Sequence, residues 1–568
     1  MEDRVNKKRR HFLVPALFFL LLLLLFFLWY LFGRQKVQDW ETYVMKDPTA
    51  VPAPEPNKQL IVFLKPGAQR QNFNEWIADS LVKKGEVRIR FVCRNCDSSL
   101  FLFEGDGVES YIKEKLLLMG SGGTAKGGNA PQNPRPNPAG ETDDLYYTTN
   151  VRVKSDDAAS QEIVPGIIEQ PGYSDAPVKV AVFDTGLDTL TATAFKFVSA
   201  GTSCIPGAEG GWNFMNGSST WIDDYPGRHG TVVARFIANE TVKYGKNSLE
   251  ILPVKIFDGN GSSDLFSILC AFAYASQQHV NIINASFGYY ESAYEIDTNG
   301  NVTTRPTSPV LLQAFVNTYL TQKNILLIAA AGNKNDAENS VYNPVNPADQ
   351  RNLDSVHFYP ASLSLSLPNV IAVTTAYDSV VSPRQNFSNK VVDVCVHADR
   401  ILQNAYEVLA SVQREIDSIR QKLNLPPSTG NNVSSNINRA QENLGHLSDE
   451  LSYPHFTFLH PYKPGQLVEG SSFATPIVTG KLVAWFHLYN HLLDSGLVFT
   501  SQTRDSIFQI LQTKAQESFL INKTELNNKI KQGKMIYRSL NSGEGEGVSP
   551  VQTLLQQKPR ANNGTKRK

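Results

Sequence analysis

The chain has 568 residues, room for two to four domains, and its 54 basic and 54 acidic side chains cancel to a formal charge of zero. That balance supplies no electrostatic reason to expect a nucleic-acid partner. Five cysteines in so long a chain exclude a disulfide-framework fold, which carries its cysteines far more densely.

Residues 1–11 form a basic segment with Arg4, Lys7, Lys8, Arg9 and Arg10, and 12–32 follow as 21 residues without a charge. As a helix that run is about 31 Å long, enough to cross a hydrocarbon core of roughly 30 Å. A cleavable signal peptide is the competing reading, but the run is too long for one and no small-residue cleavage site follows it. The five basic residues before the span outnumber Arg34 and Lys36 just after it, so the N-terminus is expected in the cytoplasm and the rest outside. The expectation is a single-pass signal anchor, with a transmembrane helix over 12–32. A stalk over 33–57 ends in the proline-rich stretch 51–56, which favours an extended spacer.

Residues 58–154 read as a small α+β domain. Strands are expected at 60–64, 87–93, 100–103 and 146–153, with helices near 72–83 and 108–118. The connection 121–143 is rich in Gly, Pro and Asn and is expected to be disordered. Cys93 and Cys96 stand in a Cys-x-x-Cys spacing, which leaves a small disulfide and half a zinc site both open. Cys204, Cys270 and Cys395 read as buried or free.

From 164 to 516, apolar runs at 179–183, 251–256, 280–284, 324–330 and 370–375 alternate with helical stretches. That alternation predicts a parallel sheet with helices on both faces. Between 400 and 453, Leu402, Ala405, Leu409, Val412, Ile416, Ile419 and Leu423 recur at three- and four-residue steps. The steps return after a Pro/Gly turn at 426–430, which predicts a helical hairpin with a coiled-coil seam. A projecting hairpin would dock a partner, a second copy or the substrate; two helices packed flat on the domain are the alternative. Residues 539–568 turn Gly-, Ser- and Asn-rich and read as a disordered tail.

Four segments carry chemistry. The run 179–183 ends in Asp184, and the carboxyl end of such a strand is where open α/β sheets place their sites. His229, Gly230 and Thr231 precede an apolar stretch and open a helix. Small residues surround Ser472 in 470–476, which lets the chain turn tightly and expose a hydroxyl at a helix start. Such a start stabilises developing negative charge. Another apolar run, 324–331, leads into Gly332 and Asn333. A serine hydroxyl needs a histidine to take its proton and an acid to orient that histidine.

In the order Asp, His, Ser, these motifs resemble those of the subtilisin-like (S8, subtilase) serine proteases. The resemblance implies a subtilisin-like α/β fold and a triad of Asp184, His229 and Ser472. It further implies an oxyanion site made by the Asn333 amide and the Ser472 backbone N–H. Ser286, Phe287, Gly288 and Ala330, Ala331, Gly332 would flank the pocket for the residue before the scissile bond. Residues 58–154 resemble the inhibitory propeptide of such enzymes. No metal or organic cofactor is required, and structural calcium stays open without a located cage; Asp297 to Asn301 read as a turn. Three departures stand out: Ser471 replaces the usual threonine, Phe473 the usual methionine, and 395–399 the usual Ala-Pro-Gly after a strand at 391–394. The expected function is a membrane-anchored endopeptidase acting on protein or peptide substrates. A non-catalytic binding module of the same fold, or an esterase or ligase using the same triad, are the alternatives.

Overall fold

The computed structural model describes residues 59–66, 88–90, 96–97, 99–105 and 145–155, then, with shorter gaps, 177–333, 351–402 and 455–538. The apolar run 12–32, the stalk, the helices expected at 72–83 and 108–118, the loop 121–143, the turn at 297–301, nearly all of the 400–453 insertion and the tail lie outside these residues. Among the described residues no helix is long and apolar enough to cross a membrane.

The first unit is a sheet of β1 (Gln59–Leu64), β2 (Arg88–Arg90), β3 (Leu100–Glu104) and β4 (Leu145–Thr149), in the order β2-β3-β1-β4. All its pairings are antiparallel. The strand expected over 146–153 is in fact two. Asn150 and Val151 break it, and β5 (Arg152–Ser155) leaves for a different sheet.

The chain then lays down β6 (Val178–Asp184), β7 (Leu249–Lys255), β8 (Ser262–Asp264), β9 (Ile282–Ala285), β10 (Phe287–Tyr290), β11 (Leu326–Ala330), β12 (Val370–Tyr377) and β13 (Val394–His397). Six of them lie side by side as β13-β12-β11-β9-β6-β7, each neighbouring pair parallel. Strands covered on both faces need apolar residues at both parities, which is why they read as continuous runs. In β6, Val178, Val180 and Val182 enter one apolar cluster while Ala181 and Phe183 enter the other.

Helices α1 (His229–Tyr244), α2 (Leu265–Gln277), α3 (Pro309–Tyr319) and α4 (Ser471–Ala484) cover the two faces. The cluster holding α1 and α4 takes Val233, Ile237, Ile477 and Leu482; the other takes Phe266, Phe272 and Phe315. The N-terminal sheet joins that second cluster through Ile61, Phe63, Leu100 and Leu102. Phe63 meets Phe315 edge-on at 4.9 Å between ring centres. A polar seam closes the junction. Asn150 donates to Gln59 (2.7 Å) and to Asp264 (3.2 Å), and it accepts from the backbone N–H of Phe266 (3.1 Å).

Several expectations need correction. Cys96 does not pair inside its Cys-x-x-Cys but forms a disulfide with Cys204, 108 residues on, which removes the zinc reading. Cys270 is disulfide-bonded too, and Cys395 is a buried free thiol. The strand placed at 391–394 begins at Val394 instead. Asp393 is buried, accepting from the Ala372 N–H and from Lys531. The sheet runs past 516 through Leu520–Asn522 and Lys534–Ile536, because β13 still has an open edge to pair. Leu402, the first position of the expected helical seam, lies in a strand, Arg400–Leu402. That strand pairs with His455–Leu459, which pairs with Leu467–Glu469 just before α4.

Helices α1 and α4 touch at Gly480. A Cβ there would lie 2.6 Å from the Ile237 carbonyl oxygen and 2.7 Å from Glu240 Cβ. Alanine normally favours a helix over glycine by about 1 kcal/mol, but this contact is with backbone and cannot yield cheaply. Gly480→Ala is therefore expected to lower stability by about 1–3 kcal/mol, read as an earlier urea midpoint with an unchanged slope.

Candidate active site

Asp184 is the last residue of β6, and one of its carboxylate oxygens accepts from the Thr185 backbone N–H (2.8 Å). The same oxygen lies 2.7 Å from His229 Nδ1, and both side chains are almost fully buried. The imidazole therefore presents Nδ1 to the acid. His229 opens α1 after Arg228, whose φ of 50° turns the chain into the helix. Gly230 is required by contact: a Cβ would sit 2.3 Å from the Gly186 carbonyl oxygen and 2.9 Å from Asp184 Cβ. Its N–H donates to the Thr185 hydroxyl at 2.9 Å.

Sequence reading missed Asp223. This buried carboxylate accepts from both the N–H (3.0 Å) and the hydroxyl (2.7 Å) of Thr231, and so clamps the first turn of α1. Burial, with a further push from the nearby Asp184 charge, raises its pKa to about 6. The missed signal was an acid six residues before the histidine, able to serve the free amides of a helix start.

Ser472 is the second residue of α4, after Gly470 at φ 141°. Its carbonyl accepts from the Ser286 hydroxyl at 2.8 Å. The Ser471 N–H donates to Asn333 Oδ1 (3.1 Å), and the Ser471 hydroxyl accepts from the Gly332 N–H (3.0 Å). The first of these fixes which way the Asn333 amide points, with Oδ1 toward the Ser471 N–H. A Cβ on Gly470 would be 3.0 Å from Ser472 Oγ and 3.3 Å from Asn333 Nδ2, so the two groups converge above the same glycine. Phe473 packs on the His229 ring, 5.1 Å between centres, so this departure from the usual residue supports the imidazole from below.

The structure thus joins Asp184 to His229 at the end of β6 and the start of α1, and brings Ser472 and Asn333 together over Gly470 at the start of α4 and just after β11. The subtilase family description, peptidase S8, matches residues 175–533. The chain belongs to the subtilase family. Among its relatives, the minor extracellular protease Epr of Bacillus subtilis (strain 168) is 27% identical over 207 residues, 36% of this chain and 24% of that protein. The membrane-bound transcription factor site-1 protease of Homo sapiens is 28% identical over 203 residues, 35% of this chain and 16% of that protein. The chain therefore spans no more than about a quarter of either relative's length. The epidermin leader peptide processing serine protease (EpiP) from Staphylococcus aureus superposes with a TM-score of 0.43 at 15% identity, covering 86% of this chain and 99% of that one.

The six residues that the resemblance sets beside a substrate pocket lie in two segments. Ser286 precedes β10 and Phe287 and Gly288 begin it, while Ala330 ends β11 and Ala331 and Gly332 follow it. Asn386 holds the second segment, its side-chain amide donating to the Ala331 carbonyl at 2.8 Å and its backbone N–H to that of Gly332 at 3.0 Å.

A carboxyl held near pKa 6 instead of its ordinary value of about 4 favours the folded state most when protonated. Its contribution is full below pH 4 and is lost as pH rises through about 6. The predicted loss is about 3 kcal/mol. Asp223→Asn should remove this fall. Urea denaturation of both proteins at pH 4 and pH 7 checks it: a parallel pH dependence in wild type and variant would refute the assignment.

Proposed function

We propose that the protein is a serine endopeptidase that cleaves peptide bonds through an acyl-enzyme. Asp184 would hold the His229 tautomer, and His229 Nε2 would take the Ser472 proton and return it to the leaving amine. The Asn333 amide and the Ser472 backbone N–H would receive the oxyanion. This chemistry calls for neither a metal nor an organic cofactor. Ser286 to Gly288 and Ala330 to Gly332 would flank the residue before the scissile bond.

One observation supports a peptidase above the other uses of such a triad. The segment Arg152–Ser155 lies extended between β8 and β10, with Val153 opposite Ser263, Lys154 opposite Gly288, and Ser155 opposite Phe287. The Ser155 N–H donates to the Gly261 carbonyl at 2.8 Å. A cleft that binds polypeptide by strand addition reads backbone, as an endopeptidase must. Ser286, immediately before β10, is the residue whose hydroxyl donates to the Ser472 carbonyl. The same segment ends the N-terminal domain, which supports that domain as an inhibitory cap whose tail fills the cleft.

The apolar run 12–32 supports a signal anchor with the catalytic domain outside the cytoplasm. The Cys96–Cys204 disulfide agrees with an oxidising compartment. The insertion leaves and re-enters through the strands that lead to α4, so a partner docked on it would stand near Ser472.

Ser472→Ala should abolish labelling by a fluorophosphonate and lower peptide turnover by about 10⁶, with the thermal midpoint nearly unchanged. Asn333→Ala should keep the label but lose about 10²–10³ in turnover. Turnover within tenfold of wild type in the Ser472 variant would remove the triad reading.

A further inference from the structure

Between the two pocket walls lies a side chain that sequence reading did not single out. Phe358 follows the segment 334–350 in the chain and begins the short strand Phe358–Tyr359, which pairs with β10 as Tyr290 opposite Phe358 and Tyr289 opposite Tyr359. The tip of its ring lies against both walls at once. A Cβ on Gly288 would meet Phe358 Cε1 at 2.2 Å and Cζ at 2.4 Å; one on Gly332 would meet the same two atoms at 2.8 Å. The slot between Gly288 and Gly332 is thus occupied by the protein's own phenyl ring, and both walls are glycine where that ring touches them.

The ring is not positioned to swing aside. Phe358 is 2% exposed. Its N–H donates to the Ser362 hydroxyl at 3.0 Å, and Tyr290 meets it edge-on at 4.9 Å. Tyr290 is itself tied down, its hydroxyl donating to the Asn333 carbonyl at 3.2 Å and receiving the Asn386 amide at 3.0 Å. Displacing the phenyl would expose a large apolar surface and break this packing, at a cost comparable to truncating a core aromatic.

Resting on the endopeptidase reading, we infer that Phe358 is a specificity-determining residue that fills the pocket beside Ser472, restricting cleavage to bonds preceded by glycine, alanine or serine. Those residues need no slot between Gly288 and Gly332. A leucine, phenylalanine or lysine at that place must either displace the ring or hold its side chain out of the slot, and both lose the buried contact that would align the scissile carbonyl with Ser472.

The test uses the full chain and two peptides identical except for Ala or Phe before the scissile bond. Two peptidyl phosphonates ending in the same residues report the preference by covalent capture of Ser472, independently of turnover. Wild type should favour the Ala member at least 100-fold in kcat/KM and in capture rate. Phe358→Gly should raise the Phe member at least 100-fold while the Ala member changes less than tenfold. Phe358→Val, which keeps an apolar core residue, should open the slot only partly and favour Val or Leu substrates. It keeps the question answerable if the glycine variant does not fold. Equal or better use of the Phe member by wild type would overturn the inference, as would an unchanged preference in both variants. Failure of Ser472 to react with any phosphonate would instead sink the endopeptidase reading itself.

Discussion

The site depends on one steric fact: the first turn of α1 rests directly on the end of β6. Gly230 lies against the Gly186 carbonyl and the Asp184 side chain, a contact that no larger residue could make. Because the two backbones meet there, a histidine at the start of the helix and an aspartate at the end of the strand are within hydrogen-bonding distance without either reaching out. The remaining polar groups of the region serve this contact. Thr185 accepts the Gly230 N–H, and Asp223 ties down Thr231. The result is a rigid imidazole in a region almost closed to water, where a fixed hydrogen bond is electrostatically stronger than at a surface.

A second contact of the same kind sets the serine. Ser471, Gly332, Asn333 and Ser286 bind α4 to the ends of β11 and β9 through side chain to backbone hydrogen bonds. Threonine is the usual residue at position 471 in the resemblance, and here the serine hydroxyl makes the bond to Gly332. The substitution is conservative because the oxygen, not the extra methyl, is what the Gly332 N–H uses.

Much of this was legible in the sequence, for a physical reason. Runs such as 179–183 and 324–330 are apolar at both parities because both faces of a parallel strand are covered, and their ends then advertise Asp184 and Asn333. Glycines beside polar residues marked the tight helix starts at 229 and 471. What stayed hidden was whatever depends on distant partners. Asp223 sits in a polar loop, where an acid carries no periodic signal. Phe358 looks like any apolar strand residue until Gly288 and Gly332 are brought to it from 70 and 26 residues earlier. Asn150 interrupts what reads as one strand because its side chain is committed to Gln59 and Asp264, so the backbone turns from one sheet into another. The Cys-x-x-Cys spacing suggested a local partner for Cys96, and spacing cannot rank a neighbour against a cysteine 108 residues away.

That disulfide fixes a matter of topology. Cys96 belongs to the N-terminal sheet unit and Cys204 lies beyond β6, so the bond spans β5 and all of 156–176. A nick anywhere in that stretch divides the polypeptide without dividing the molecule. The piece carrying Arg152–Ser155 would still be held within a few nanometres of the cleft, at an effective concentration on the order of millimolar. For such an architecture, hydrolysis of one peptide bond and physical departure of the N-terminal unit are separate events. Dilution alone cannot turn the first into the second.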